Sequence, residues 1–388
     1  MKNTLYNKIN YNISNTYKIG ILSMQKVINY GSFLQAFALL QIIKKLRPNA
    51  VVSFIDIKPG VLIYEETRKK RSFIFIAKKI LNILIKKNIR DYIHIILIKI
   101  KRIKIFKNYW KKYLDITNEN NWDILFDSIV IGSDEVFNCI QYASWGFSKN
   151  LLGEGLNTNN IITYAASCGH TTISKVETMH LSKEIESALG NIKHFSVRDE
   201  NTYNFVKRFA NQDAFIHLDP VFLFDFSSYM QLNKPLKKPF ILIYSYNLRI
   251  NKSNEIAAII DFAKMNNMEL ISLFGYQSWC KRNIVLEPFK ILKYFEEASY
   301  VITDTFHGTI FSIKYNKKFV SFVRYDDLSS PNDNKLHYLL SIFGLQNREI
   351  KNTDDLSQKL LQEIDFEPVN KIINYHIQKS LEYLNQYL

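Results

Sequence analysis

A repeated unit of apolar strand, short polar turn and helix most constrains what this chain can fold into. Its clearest copy spans 299–320 (SYVITDTFHGTIFSIKYNKKFV), where a buried strand leads through a turn into a helix that opens at His307. Backbone N–H groups at such a helix start have no partner within the helix, and the positive end of the helix dipole points the same way. The sequence therefore predicts an anion-binding loop in which Thr305, Gly308 and Thr309 contact the substrate.

His307 is the candidate for chemistry in this loop, because an imidazole donates hydrogen bonds and exchanges a proton near neutral pH. A single histidine at a helix start is more commonly structural than catalytic, so this stretch alone leaves both interpretations open. Further copies of the strand–turn–helix unit elsewhere in the chain favour the functional interpretation.

The first of these copies lies near the amino end of the chain. Residues 18–24 (KIGILSM) form an apolar strand, Asn29 and Gly31 form the turn, and Ser32 is a plausible N-cap for a helix that ends at Leu46. Strand, tight loop and helix in this order are the first unit of a doubly wound α/β domain, which binds ligands at the carboxyl ends of its strands. Asn29, Gly31 and Ser32 are therefore predicted to contact the substrate.

A second copy follows at 123–138 (DILFDSIVIGSDEVFN), where SIVI is a buried strand and Gly132 makes the turn. Ser133 and Asp134 are predicted to open a helix and, with Gly132, to line the same ligand-binding edge. Two roles are open to Asp134: its carboxylate accepts a proton from a substrate hydroxyl, or it caps the helix.

Arg198 follows another short strand, predicted over 194–197 in HFSVRDEN. A guanidinium at a strand end that faces a cleft is a natural ligand for a carboxylate or a phosphate. The alternative is a structural ion pair with Asp199 or Glu200, and the sequence leaves the two interpretations open.

The polar stretch 232–239 (LNKPLKKP) carries two of the eight prolines and is the predicted domain linker. Strands and helices alternate again beyond it, and 388 residues exceed the roughly 250–300 at which a single core stops growing. We therefore predict an α/β fold with two Rossmann-like domains that face a cleft. The N-terminal domain spans 1–231, and the C-terminal domain, with His307 and a C-terminal helix, spans 232–388.

The formal net charge of +15 comes from one segment. Residues 67–112 hold 16 Lys and Arg and one acid, whereas the rest of the chain holds 35 basic and 35 acidic residues. Apolar residues at three- and four-residue spacing predict that this segment is a basic helical insertion in the N-terminal domain. Its lysines either face water or form an amphipathic face on an anionic membrane surface. Nucleic acid is not an expected partner, since the aromatic residues form no stacking platform.

The remaining features predict a cytoplasmic protein, peripheral at the inner membrane face if 67–112 binds lipid. The three cysteines are widely spaced and suit neither a disulfide framework nor a zinc site. No run reaches the roughly 18 apolar residues of a membrane span. Neither a Walker A sequence nor G-x-G-x-x-G is found, so no nucleotide cofactor is expected, and no cluster of metal ligands is visible.

Six blocks in order along the chain resemble the polysaccharide pyruvyltransferase family: KIGILSM…NYGSFLQAFAL, IVIGSDEVFN, YAAS, SVRDEN, LDPVFL and TDTFHGTIFSI. The resemblance extends from about residue 18 to 348. It implies a glycosyltransferase-B-like (GT-B-like) fold and transfer of pyruvate from phosphoenolpyruvate to a sugar, usually as a cyclic ketal on a cell-surface glycan. Phosphoenolpyruvate is then a co-substrate, no cofactor is required, and a glycan or lipid-linked saccharide is the acceptor.

The resemblance also assigns roles to single residues. Arg198 in SVRDEN matches the family arginine that binds phosphoenolpyruvate, and His307 in DTFHG matches its active-site histidine. Lys335 is the best match to a lysine that lies just before a helix in related members. The chain departs from the usual pattern at Glu135 and Phe137, where members often have Gln and Trp, and at Asp199, where Glu is usual.

One principal hypothesis and two alternatives follow. In the first, His307 is the general acid or phosphate-orienting donor, Asp134 is the base or accepts the sugar hydroxyl, and Arg198 and Lys335 hold the donor. The alternatives are a nucleotide-sugar-dependent glycosyltransferase with the same cleft and a non-catalytic glycan-binding protein of the same fold.

Overall fold

A computed structural model describes residues 16–61, 89–116, 121–140, 145–232, 239–323 and 331–388. Two parallel β-sheets organise these ranges, and each has six strands within them. Parallel neighbours require a crossover connection, usually a helix, so the alternation of strand and helix along the sequence leads directly to this architecture. The prediction of two Rossmann-like domains in a GT-B-like arrangement is confirmed.

The first sheet lies at the centre of the N-terminal half. Its strands are β1 (Lys18–Leu22), β2 (Val51–Phe54), β3 (Ser128–Asp134), β4 (Ile161–Ala166), β5 (Ser196–Val197) and β6 (Phe215–Ile216). Their order in space is β2-β1-β3-β4-β5-β6, so the direction of winding reverses between β1 and β3. Ligands bind at the carboxyl ends of the strands at such a reversal.

The second sheet repeats the plan in the C-terminal half. Its strands are β7 (Phe240–Tyr244), β8 (Glu269–Ser272), β9 (Arg282–Asn283), β10 (Tyr300–Thr303), β11 (Phe319–Phe322) and β12 (Glu349–Ile350). Their order is β12-β11-β10-β7-β8-β9, with the reversal between β7 and β10. The central strands β7 and β10 are buried at every residue, as expected for a parallel sheet with helices on both faces.

Helices connect and cover the strands. They are α1 (Tyr30–Leu46), α2 (Ile89–Tyr113), α3 (Ile173–Thr178), α4 (Ser182–Leu189), α5 (Glu200–Phe209), α6 (Pro220–Leu223), α7 (Ser253–Met265), α8 (Pro288–Glu297), α9 (Phe306–Lys314), α10 (Pro331–Ile342), α11 (Leu356–Leu361) and α12 (Phe366–Tyr387). Among the described residues, none of the helices is both long enough and apolar enough to cross a membrane.

Two predicted helix starts differ from the structure. The N-cap of α1 is Asn29, whose side chain accepts the N–H of Gly31, so the prediction of Ser32 as N-cap is wrong. Extended backbone at Asn29 lets the helix begin at Tyr30, three residues before the start that a cap at Ser32 implies. The predicted helix at Ser133 and Asp134 is also wrong, because β3 continues through Asp134, which ends the strand with φ of 80°.

The basic insertion is helical where the structure describes it. α2 covers 89–113, whereas the predicted portion 67–88 lies outside the described residues. The inner side of α2 packs on α1 through Phe106, whose ring centroid lies 5.3 Å from that of Tyr30. Phe106 is fully buried, so this contact fixes α2 to the body of the protein.

Aromatic side chains of α1 join the two halves. The ring centroids of Phe37 and Phe289 in α8 are 4.8 Å apart with their planes at 67°, and Phe33 makes a similar edge contact with Phe289 at 5.6 Å. Such edge-to-face pairs contribute about 0.5–1.5 kcal/mol each beyond the burial of their area. The apolar core therefore continues from one sheet to the other.

The last helix returns to the first half of the chain. The Tyr383 hydroxyl on α12 donates to the carbonyls of Thr163 and His194, both at 3.0 Å. The sequence grouped this helix with the C-terminal domain, but these contacts attach it to the first sheet. The domain boundary at 231/232 stays a prediction, since residues 233–238 of the predicted linker lie outside the described residues.

Candidate active site

A cavity of about 310 Å³ lies where the carboxyl ends of the two sheets face each other. Side chains from both halves form its wall, among them Asn29, Ser32, Asp134, Glu135, Arg198, Tyr246, Arg249, Asp304, Thr305, His307 and Lys335. The structure thus brings together seven of the predicted site residues from positions across most of the chain. The cavity lies where the strand order of each sheet reverses, which is where folds of this kind bind ligands.

His307 lies in the first turn of α9, directly against the first turn of α1. A Cβ atom added to Gly31 would lie 2.0 Å from His307 Cγ, so the ring rests on bare backbone of the opposite domain. The His307 side chain is nine-tenths buried, and its Nε2 lies 3.6 Å from Asp219 Oδ2. That distance is beyond hydrogen-bonding range, and Nε2 has no hydrogen-bond partner among the described residues.

Thr305 prepares the start of α9. Its Oγ1 accepts the Gly308 N–H at 2.9 Å, and its carbonyl accepts the Thr309 N–H at 3.1 Å. The amides of Phe306 and His307 remain at the positive end of the helix dipole, beside the cavity. An anion in the cavity would therefore meet these two amides first.

Arg198 is held between two carboxylates. Its Nη1 donates to Asp219 Oδ2 at 3.0 Å and its Nη2 to Asp134 Oδ1 at 3.3 Å, while the guanidinium carbon lies 4.5 Å from the ring centroid of Phe306. Burial lowers the pKa of Arg198, but the carboxylates, Asp134 first, outweigh this and the net pKa is raised. The guanidinium is therefore a permanent cation with its charge already compensated.

The predicted ion pair of Arg198 with Asp199 or Glu200 is wrong in its partners. The Asp199 carboxylate instead accepts the Thr202 N–H at 2.8 Å as the N-cap of α5, and the Ser167 hydroxyl at 2.7 Å. Because Arg198 points across the strand ends, its partners come from neighbouring strands and not from the adjacent residues.

Asp134 is not a helix cap. Its Oδ2 accepts the hydroxyl of Ser32 at 2.6 Å, and its Oδ1 accepts from Arg198. The carboxylate therefore joins the first turn of α1 to the arginine at the end of β5, within the wall of the cavity. This position keeps the proton-acceptor role open and removes the capping alternative.

Lys335 enters the cavity from α10, and its Nζ lies 2.8 Å from Glu135 Oε1. Burial tends to raise the pKa of Glu135, but the effect of the nearby Lys335 ammonium is larger and lowers that pKa to about 2. The Lys335 side chain is only 3% exposed. The lysine is therefore a buried cation that already has a carboxylate partner.

Four other predicted site residues do not line the cavity but pack behind the residues that do. Ser133 Oγ donates to the Ala165 carbonyl at 3.1 Å, and Thr309 Oγ1 lies 2.8 Å from Ser321 Oγ. A Cβ on Gly132 would lie 2.1 Å from the Tyr164 carbonyl oxygen, and a Cβ on Gly308 would lie 2.1 Å from Thr303 Oγ1. Close packing at both glycines keeps the strand ends and the start of α9 in place.

Asp219 is the main site residue that sequence reasoning missed. It contacts both Arg198 and His307, and it caps α6 by accepting the Val221 N–H at 3.0 Å. Burial tends to raise the pKa of Asp219, but His307 and Arg198 lower it, with a net decrease. In the sequence Asp219 appears only within the LDPVFL block, and it is the fold that places it behind His307.

The charges around the cavity are balanced. Three cations (Arg198, Arg249 and Lys335) and three carboxylates (Asp134, Glu135 and Asp304) line it. Arg249 Nε lies 3.3 Å from Asp304 Oδ2, so each cation faces a carboxylate. Among the described residues, no group of three or more His, Cys, Asp and Glu side chains is placed to hold a metal ion.

Together these features define a two-domain α/β protein of GT-B-like fold, with a histidine, paired ions and two helix starts in the cavity between its sheets. The sequence profile described as "Polysaccharide pyruvyl transferase" matches residues 29–327, from Asn29 past His307. That match covers most of the chain, and the protein belongs to the polysaccharide pyruvyl transferase family. Lys335 lies beyond the matched region.

Comparison with solved structures gives similar folds at very low sequence identity. UGT89C1 of Arabidopsis thaliana in complex with quercetin is 10% identical, with 96% of this chain and 99% of that chain covered and a TM-score of 0.49. The glycosyltransferase SnogD from Streptomyces nogalater is 9% identical, with 96% and 98% covered and a TM-score of 0.46. A putative UDP-N-acetylglucosamine 2-epimerase from Listeria monocytogenes is 7% identical, with 96% and 92% covered and a TM-score of 0.48. Comparison with curated protein sequences gives no significant match.

Proposed function

We propose that this enzyme transfers pyruvate from phosphoenolpyruvate to a sugar of a cell-surface polysaccharide or its lipid-linked precursor, as a pyruvate ketal. One observation carries the proposal: the His307 ring lines the cavity at the start of a helix, and its Nε2 lies 3.6 Å from the buried carboxylate of Asp219. A buried ring nitrogen in that position is suited to exchange a proton with a bound anion or its leaving group.

Binding of the donor requires an exchange of ion partners. Phosphoenolpyruvate carries up to three negative charges, whereas the cavity wall holds equal numbers of cations and carboxylates. A phosphate or carboxylate of the donor can replace Glu135 at Lys335 Nζ, and the amides at the start of α9 add two donors without a counter-charge. We therefore assign Lys335 and the start of α9 to the donor, with Arg198 as a charge that Asp134 and Asp219 hold in position.

The proposed reaction balances with these groups. His307 delivers a proton to the CH₂ carbon of phosphoenolpyruvate, which becomes a methyl group and leaves a cation-like centre at C2. A sugar hydroxyl attacks C2 and its proton passes to Asp134. The bond between C2 and the phosphate oxygen breaks, phosphate leaves with the electron pair, and a second sugar hydroxyl closes the ketal. The two hydrogens that the sugar hydroxyls lose are thereby accounted for. One equals the third hydrogen of the new methyl group, and the other is the hydrogen of the released hydrogen phosphate.

The proposed acceptor, if it is linked to a lipid, determines where in the cell the enzyme works. A lipid-linked saccharide lies at the inner face of a membrane, and the helical part of the basic insertion packs beside the cavity through Arg102, which lies 5.3 Å from the ring centroid of Phe274. We propose that the enzyme works at that membrane surface as a peripheral protein. Phosphoenolpyruvate then reaches the cavity from the cytoplasm and no further cofactor takes part.

A thermal-shift titration tests the donor without knowledge of the acceptor, since a ligand that binds only the folded state raises its stability. We expect phosphoenolpyruvate to raise the melting temperature of the wild type and to have less effect on Lys335→Met. A rise with a nucleoside diphosphate and none with phosphoenolpyruvate would favour sugar transfer instead. A response to neither donor, with glycan binding retained in His307→Ala, would favour a glycan-binding protein.

A further inference from the structure

The outer face of α2 is a row of exposed aliphatic side chains. Ile89, Ile93, Leu97 and Ile100 are 50–59% exposed and recur every three or four residues, so they lie on one side of the helix. Tyr92 and Ile96 widen the row, with exposures of 46% and 39%. An isolated exposed aliphatic residue is common, but a contiguous row of this kind usually marks an interaction surface.

Basic side chains follow this row along the same helix. Lys99, Lys101, Lys104 and Lys107 are all exposed, and α2 holds eight Lys and Arg with Asp91 as its one acid. Asp91 lies on the other side of the helix, where its Oδ1 accepts the hydroxyl of Tyr276 at 3.0 Å. The outer face therefore combines apolar area with a strong positive charge.

The opposite side of α2 is fixed to both halves of the protein. Besides the contact of Phe106 with Tyr30, the His94 ring stacks on Tyr276 with centroids 5.3 Å apart. Arg102 lies over Phe274, which itself lines the cavity. The helix is therefore held with its aliphatic row outward, about one helix diameter, roughly 10 Å, from the cavity wall.

We propose that the outer face of α2 (Ile89, Tyr92, Ile93, Ile96, Leu97, Ile100 and the four exposed lysines) docks on an anionic lipid surface. Aliphatic side chains enter the region between headgroups and acyl chains, while lysines pair with lipid phosphates. Tyr92 suits the same boundary, where amphipathic rings are enriched. Branched aliphatic side chains offer nothing to a nucleic-acid base, which favours lipid as the partner of this charge.

This inference specifies the membrane contact of the proposed function and rests on it for its purpose. Docking through α2 holds the cavity at a nearly fixed distance from the lipid surface. A saccharide attached to a lipid would then reach the cavity at the end of a short path, whereas a free saccharide would gain nothing from docking.

Cosedimentation with vesicles tests the docking face directly, without donor or acceptor. The full chain is compared on vesicles of phosphatidylcholine alone and on vesicles that also contain phosphatidylglycerol, at low and high salt. Variant A carries Ile93→Ser, Leu97→Ser and Ile100→Ser; variant B carries Lys99→Gln, Lys101→Gln, Lys104→Gln and Lys107→Gln. Met265→Ser with Leu361→Ser is the matched control, because both side chains are exposed and apolar on other helices.

We expect the wild type and the control to bind the anionic vesicles, and binding to weaken with salt. Each lysine removed lowers the partition coefficient about fivefold, as about 1 kcal/mol per charge predicts. Each aliphatic residue removed has a similar effect, since about half of each side chain is available for insertion. Variants A and B keep the thermal shift with phosphoenolpyruvate, so loss of docking is distinguished from loss of the proposed donor site.

Three results would overturn the docking face. In the first, the wild type remains in solution with anionic vesicles. In the second, variants A and B bind as the wild type does, whereas Lys78→Glu, Lys79→Glu, Lys86→Glu and Lys87→Glu together abolish binding. In the third, variant A converts a dimer to a monomer in light scattering without a change in vesicle binding, which makes the face a protein interface.

Discussion

The pair formed by Glu135 and Lys335 makes the sharpest prediction about the donor site. Glu135→Gln leaves the shape of the cavity nearly unchanged but removes the carboxylate 2.8 Å from Lys335 Nζ. We expect two opposite effects: the free protein becomes less stable, and phosphoenolpyruvate binds more tightly.

The loss of stability follows from the pKa of Glu135. Its decrease from 4.5 to about 2 corresponds to roughly 3 kcal/mol of interaction with the ionised carboxylate. Because the Glu135 side chain is 30% exposed, solvent screening reduces this to about 1–2 kcal/mol. Unfolding entropy of about 2.1 cal/mol/K per residue over 388 residues converts the loss to about 1–3 °C in melting temperature. A depressed carboxyl pKa stabilises the fold above pH 4.5, and that stabilisation is lost as the pH falls towards 2.

The gain in affinity follows from the freed lysine. A buried Lys335 without its carboxylate offers one charge-assisted hydrogen bond, about 1.5–3 kcal/mol, to the donor. Phosphoenolpyruvate should therefore bind Glu135→Gln about tenfold or more tightly than the wild type, measured by isothermal titration calorimetry. Glu154→Gln is the control, because its partner Lys149 lies 3.7 Å away and both side chains are more than 40% exposed. Equal or weaker binding to Glu135→Gln would refute the assignment of Lys335 to the donor.

Three further predictions concern the other contacts. Gly31→Ala places a Cβ 2.0 Å from His307 Cγ; we expect a lower melting temperature and a loss of phosphate release, and wild-type activity would contradict the packing of His307 on α1. Asp219→Asn removes the carboxylate shared by Arg198 and His307; we expect kcat for phosphate release to fall about tenfold without a rise in KM for phosphoenolpyruvate, and the reverse split would make Asp219 a donor ligand. Burial, and then His376, lowers the pKa of His217 from 6.5 to about 4; the unfolded chain therefore takes up its proton first, and stability should fall by up to about 3 kcal/mol from pH 6.5 to 4. Urea unfolding of His217→Gln should show a shallower fall, and an identical pH profile would contradict this origin.

Local patterns predicted much of the fold. The apolar runs of β1, β3, β7 and β10 and the periodicity of α1, α7 and α8 are short-range signals, and they are enough to specify two doubly wound domains. They also place the site, because such folds bind ligands at the carboxyl ends of their strands. The prediction of a helix at Ser133 was wrong because a strand that continues past a glycine has the same local composition as a turn that leads into a helix.

The partners within the site could not be predicted in the same way. Arg198 contacts Asp134, 64 residues earlier, and Asp219, 21 residues later, because β3, β5 and the turn before α6 end at one edge of the sheet. Gly31 meets His307 only because two domains close on each other. Such pairings depend on register and domain packing, and a single sequence carries no direct signal for either.

Transfer of label from phosphoenolpyruvate tests the central claim most directly. The enzyme is incubated with ¹³C-labelled phosphoenolpyruvate and the glycan and lipid-linked saccharide fraction of the source cells. We predict a labelled methyl ketal on the saccharide by NMR, a mass gain of one pyruvate minus one water, and one phosphate released per ketal, all lost in His307→Gln. Label that stays in phosphoenolpyruvate, or phosphate released without a ketal, would contradict the proposed reaction.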